Sequence, residues 1–225
     1  ICLVGSEMCI RDRIYTDLDN DLETGSHSFF PLVVKLGTDD ELSFGITNTV
    51  DKIDTGFTIP EPDPNDPDRV SSFVPMGDYD MWNYIAKVKL SENRTFGGEF
   101  GVEWGDFYGG DWVRQFGNLY WIPQKHLATG INLERYNFNM PDAEIDSDLL
   151  SAYIVLRLNP RMRWANTVQY DTLSDTIGLN SRFTWEMSPG KDLNLVFTQF
   201  YWNERSTLEV LDTESVIKGD LTFRF

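Results

Sequence analysis

A transmembrane antiparallel β-barrel of up-and-down strands is the fold this 225-residue sequence predicts, and three observations carry the prediction. The first is the closing segment, Ile217-Lys218-Gly219-Asp220-Leu221-Thr222-Phe223-Arg224-Phe225. It places Ile217, Leu221, Phe223 and Phe225 on one face, and Lys218, Asp220, Thr222 and Arg224 on the other. Lipid on one side and a polar lumen on the other demand that alternation. The second is hydropathy. No apolar run approaches the roughly 18 residues of a membrane helix, yet apolar residues at every second position cross a bilayer without showing in a window average. The third is the connections, which alternate between short turns and longer loops.

Eleven strands follow, each about ten residues long and so near the 9 to 11 a tilted crossing needs. They are expected at 28–36, 41–51, 81–90, 97–106, 111–122, 128–137, 149–158, 162–171, 176–187, 192–202 and 216–225. Alternation supports them individually. Leu42, Phe44 and Ile46 oppose Ser43, Gly45 and Thr47; Ala86, Val88 and Leu90 oppose Lys87 and Lys89. Phe100, Val102 and Trp104 oppose Glu99, Gly101 and Glu103. Ile177, Leu179, Phe183, Trp185 and Met187 oppose Gly178, Asn180, Arg182, Thr184 and Glu186. The inner face is thus expected to carry Glu99, Glu103, Arg182, Glu186, Lys218 and Arg224. A soluble sandwich buries an apolar face in the same way, so alternation by itself leaves both folds open.

The connections favour the barrel. Counting back from a last strand that descends to the periplasm, the periplasmic turns are 37–40, 91–96, 123–127, 159–161 and 188–191, all short. The external set is 52–80, 107–110, 138–148, 172–175 and 203–215, three of them long. Pro189-Gly190 and Asn159-Pro160 have turn chemistry. The segment Glu61-Pro62-Asp63-Pro64-Asn65-Asp66-Pro67-Asp68 is too proline-rich and polar for a central strand and is expected to be a mobile external loop.

Residues 2–13 resemble the translation of a sequencing adapter (CLVGSE followed by MCIRDR), and 1–13 are set aside as no domain, leaving 14–225 as a partial barrel. Both cysteines, Cys2 and Cys9, fall there, so neither a disulfide nor a thiolate metal site is expected. An odd strand count is foreign to single-chain bacterial barrels, which implies at least one further strand upstream. The formal charge of −17 opposes nucleic-acid binding and polybasic anchoring alike. Aromatics make up 14% of the chain although its mean hydropathy is −0.34.

Val168-Gln169-Tyr170-Asp171, Ser174-Asp175, Leu179-Asn180-Ser181-Arg182-Phe183-Thr184-Trp185-Glu186, Pro189-Gly190-Lys191-Asp192-Leu193 and Val196-Phe197 through Gln199, with Gly77-Asp78-Tyr79 and Gly97-Gly98, resemble an uncharacterised family. It is the domain-of-unknown-function family 5916, and the resemblance covers most of 73–225. It implies a bacterial outer-membrane barrel that follows a module similar to family-9 carbohydrate-binding domains. Implied partners are outer-membrane lipid and lipopolysaccharide, the barrel assembly machinery through the carboxy-terminal strand, and carbohydrate through the upstream module. The family brings no catalytic residues.

Sites of chemistry are sparse. Asp17, Asp19 and Asp21 have calcium-loop spacing, but Leu22 and Ser28 stand where an EF-hand needs Gly and Glu. His27 and His126 fall in or beside connections on opposite sides of the membrane, away from a shared acid–base pair. Glu99, Glu103 and Glu186 have no spacing that marks a glycosidase pair, and GxSxG, HExxH and P-loop motifs are absent. Trp82, Trp104, Trp112, Trp121, Trp164, Trp185 and Trp202 lie mostly near strand ends, as an interfacial girdle requires. No catalytic, cofactor or metal residue is assigned. The expected role is non-enzymatic: solute passage, or anchoring of a carbohydrate-binding-like module. The alternatives are the barrel portion of a polysaccharide-processing enzyme and a soluble β-sandwich binding protein.

Overall fold

A computed structural model of the chain describes residues 3–6, 9–16, 22–59, 70–204 and 207–221, and the side chains of 13–15, 24–59, 70–202 and 208–219 among them. None of the described residues is helical. The strands are β1 (Leu3–Ser6), β2 (Cys9–Thr16), β3 (Leu22–Leu36), β4 (Glu41–Ile53), β5 (Phe57–Ile59), β6 (Ser72–Val74), β7 (Gly77–Lys89) and β8 (Phe96–Phe107). There follow β9 (Gly110–Gln124), β10 (Leu127–Asn139), β11 (Glu144–Asn159), β12 (Met162–Asp171), β13 (Thr176–Ser188), β14 (Lys191–Glu204) and β15 (Thr207–Leu221). Thirteen form one antiparallel sheet in the order β1-β3-β4-β7-β8-β9-β10-β11-β12-β13-β14-β15, with β2 also on β3. Among the described residues the meander is interrupted only by β5 and β6, which pair with each other.

The eleven expected strands correspond in order to β3, β4 and β7 through β15, but three expectations change. Residues 3–6 and 9–16 join the sheet, with Leu3 opposite Leu36 and Cys9 opposite Phe30, so β1 and β2 succeed each other along one edge of β3 and the path holds twelve strand positions among the described residues. Second, strands run further than a bilayer crossing requires. β11 starts at Glu144 and β15 at Thr207, because Leu208 and Val210 alternate with polar neighbours and pair with β14. Two loops expected to be long, 138–148 and 203–215, are mostly strand. The connection-length contrast rests on residues 54–76 alone.

Third, the described parts of that connection are ordered. Phe57 pairs with Val74 and Ile59 with Ser72. Val74 and Ser72 are fully buried, and Tyr79 Oη donates to the Pro75 carbonyl (2.7 Å). The acidic stretch 61–68 itself lies outside the described residues.

Turn chemistry accounts for the hairpins. Tyr108 (φ 43°) and Gly109 (φ 85°) are both left-handed, the requirement of a two-residue type I′ turn between β8 and β9. Gly190 (φ 80°) follows Pro189, as a type II turn between β13 and β14 demands.

Two compact units divide the chain: Ile1–Ser91 with Glu99–Phe116 and Arg135–Asp146, and Glu92–Gly98 with Gly117–Glu134 and Ser147–Phe225. In the first unit, register sets Leu42 against Val88, Phe44 against Ala86 and Val88 against Phe100. Leu32, Leu42, Val88 and Phe100 on this face are exposed. In the second, Val168 lies between Ala152 and Leu179, Phe183 between Trp164 and Leu195, and Leu195 beside Ile217. There Leu150, Ile154, Trp164, Val168, Leu195, Phe197 and Ile217 are exposed, Ile217 to 77%. The opposite face carries Arg157, Arg163, Arg182, Asn180, Thr198 and Glu214 by the same pairing. Of Leu221 only the backbone is described, and Phe223, Arg224 and Phe225 lie outside the described residues.

Candidate functional site on the polar face

The polar face is built on glycines that aromatic rings cover. In the first unit, a Cβ on Gly45 would meet the Phe30 ring at 2.5 Å, and one on Gly101 would collide with Phe116. The second unit repeats the device: Gly97 under Tyr120, Gly130 under Tyr153 (2.5 Å) and Gly178 under Phe200 (3.1 Å). Missing side chains leave the room each neighbouring ring occupies, and glycines so placed let a sheet curve toward that face.

In the first unit, charge and aromatic groups satisfy one another. The Arg114 guanidinium sits 4.7 Å from the Phe116 ring centre and 5.6 Å from that of Tyr136, and reaches Glu103 at 3.4 Å. Gly101, Phe116, Arg114 and Glu103 thus form one interlocked layer. Lys87 meets Glu99 at 3.6 Å. Trp112, Tyr136 and Phe138 hold nearly parallel planes, 4° to 10° apart, at 5.9 to 6.4 Å, and Trp112 Nε1 donates to Asn83 Oδ1 (2.7 Å).

Tyr108, in the β8–β9 turn, is the hub of a second aromatic group. Phe57, Tyr79 and Phe107 pack edge-on against it at 5.6, 5.2 and 4.9 Å, which is how the β5–β6 ribbon is held. Its hydroxyl donates to Asp51 Oδ2 (2.7 Å), while Thr24 donates to Asp51 Oδ1 (2.7 Å). Burial, then the hydrogen bond to a carboxylate and its negative charge, push the Tyr108 phenol up to about 12.

The second unit holds a cleft of about 560 Å³ whose lining includes Lys125, His126, Arg157, Arg161 and Arg163 together with Glu186 and Asp192. Backbone ties fix it. Arg157 N–H donates to the His126 carbonyl (2.8 Å), and the His126 ring Nδ1 lies 2.8 Å from the Arg157 carbonyl. Arg161 N–H donates to Asn159 Oδ1 (2.8 Å), and Glu186 N–H to the Arg161 carbonyl (2.8 Å). A smaller cleft of about 250 Å³ lies between Gln169, Asn180, Thr198 and Phe200.

The residues singled out in the sequence are distributed as follows. Glu99 and Glu103 lie on the polar face of the first unit, each in an ion pair. Arg182 and Glu186 share the polar face of the second, with Lys218 opposite Asn194 on it. His27 is within β3 and not in a connection, because the strand begins six residues earlier than alternation alone suggested. His126 is in the turn between β9 and β10, as expected. Asp17, Asp19 and Asp21 lie outside the described residues. Trp82, Trp104, Trp121, Trp164 and Trp185 lie on the apolar face, and Trp82, Trp121 and Trp164 are exposed. Trp112 and Trp202 instead face the polar side, where Trp112 packs on Tyr136 and Phe138 and Trp202 pairs in register with Thr176. The cationic cleft was not foreseen. Its signal was in plain view, since Arg157, Arg161 and Arg163 flank one turn.

No family model matches the chain, and no curated protein matches it. Among solved structures, it is similar to a KdgM porin in complex with disordered oligogalacturonate, with 9% identity and a TM-score of 0.36 over 98% of this chain and 100% of that one.

Proposed function

We propose that this chain is the strand-rich part of a bacterial outer-membrane β-barrel whose polar face lines a path for solutes. The exposed apolar face carries the reading. Each large apolar side chain gains about 1.5–3 kcal/mol when removed from water. Left in water, the ten or so named above would forgo more than the roughly 5–15 kcal/mol that holds a domain folded. Hydrocarbon removes that penalty, and a closed sheet satisfies the backbone there. Exposed Trp121 and Trp164, near the short-turn ends of β9 and β12, suit the interface of such a bilayer. Rings seated over glycines stand less far from the sheet than rings over larger side chains would, which suits passage of a polar solute. The resemblance of 73–225 to family 5916 supports the same location and adds an upstream carbohydrate-binding-like module, which would make the barrel an anchor as well.

The test sets neighbouring residues against each other in the chain refolded into bilayers. Phe197 and Thr198 face opposite sides. Phe197→Arg is expected to cost about 2–4 kcal/mol of stability, and Thr198→Arg, beside Glu214, less than about 1 kcal/mol. Equal costs, or a wild-type chain that is monomeric and folded without detergent, would overturn the membrane assignment. Discrete conductance steps from the wild type in planar bilayers would establish passage; insertion without steps would leave anchoring.

A further inference from the structure

We infer that the cleft at the β11–β12 turn is a binding site for a soluble anion bearing two or more phosphate or carboxylate groups. In a chain of net charge −17, Lys125, Arg157, Arg161 and Arg163 converge on one concavity that has only Glu186 and Asp192 as acids. Random scatter of 19 cations among 36 acids disfavours such a grouping.

The register makes the grouping costly. Arg157 and Arg163 are direct cross-strand partners on the polar face, a position in which like charges repel. Two polar-face cations of the first unit are neutralised. Arg114 has Glu103 and two rings, and Lys87 has Glu99. In the cleft, none of the four cations forms an ion pair with a described residue. Glu186, whose N–H bonds the Arg161 carbonyl, opposes Asp192 on β14, and neither carboxylate forms an ion pair with these cations. The backbone bonds between Arg157 and His126, and between Arg161 and Glu186, hold the bearing strands and turns in place, so the charges are gathered before any ligand arrives. Two facing guanidiniums offer paired N–H donors to a planar carboxylate or a phosphate, and a multivalent anion between them turns their repulsion into attraction. The site stands on this geometry and does not depend on the membrane assignment.

The test uses the full chain, folded as shown by circular dichroism, with pyrophosphate and tricarballylate as probes at constant ionic strength. Isothermal titration should give saturable binding of one or both, with chloride giving none; the stronger probe identifies phosphate or carboxylate as the preferred group. Arg163→Gln and Arg157→Gln should each weaken binding at least tenfold. Arg163→Lys should restore only part of it, and Glu186→Gln should tighten it. Without probe, Arg163→Gln should unfold no earlier than wild type, since it relieves repulsion. Absence of saturable binding by either probe, equal affinity for wild type and both glutamine variants, or weaker binding by Glu186→Gln would overturn the proposal. If one glutamine variant fails to fold, the other and Glu186→Gln still decide it.

Discussion

The layer around Arg114 and the cleft around Arg163 are made of the same materials, cations on the polar side of a sheet, but one is closed on itself and the other is not. Arg114 has a carboxylate at 3.4 Å and two aromatic faces, over a glycine that makes room for one of them. Arg163 has another arginine opposite it. The first arrangement stabilises the fold; the second carries an electrostatic cost in the fold and reserves its donors for something else.

Breaking the closed layer should have the largest effect. Gly101→Val must displace Phe116, and with it Arg114, so overpacking should cost about 1–3 kcal/mol, read as a lower urea midpoint at unchanged slope. Arg114→Gln should cost about 1 kcal/mol, the sum of a partly exposed ion pair and cation–π contact. Arg163→Gln, the matching change in the cleft, should be neutral or stabilising by a few tenths of a kcal/mol. If the two glutamine variants lose the same stability, the contrast between the regions disappears. The smallest effect concerns Tyr108. Its phenol, raised from 10 to about 12, contributes stability that is complete below pH 10 and is lost as pH climbs toward 12, because the unfolded chain releases that proton first. Absorbance titration of wild type against Tyr108→Phe should show one tyrosine ionising late, and the variant should lose less stability across that window.

The strands were legible because side-chain direction has period two and a two-faced sheet writes that period into the sequence. Leu42, Phe44, Ile46 and Ala86, Val88 were assigned to one face from alternation, and the register places them there. Strand ends were less legible. Leu208 and Val210 lie among acids and threonines, and only pairing with β14 shows that they continue a strand. Order in residues 57–59 and 72–74 was hidden because it comes from packing on Tyr108, some 35 to 50 positions away in the chain.

By itself the sequence determined the all-β class, the strand order and which face of each strand is apolar, since these follow from local alternation and turn chemistry. The tertiary structure decided which residues of different strands meet. That Arg157 faces Arg163 while Arg114 finds Glu103, and that rings settle on Gly101 and Gly130, depends on interstrand register. Register is set cooperatively by bulges, turns and packing along the whole pair, and a shift of two residues would preserve every face while changing every partner.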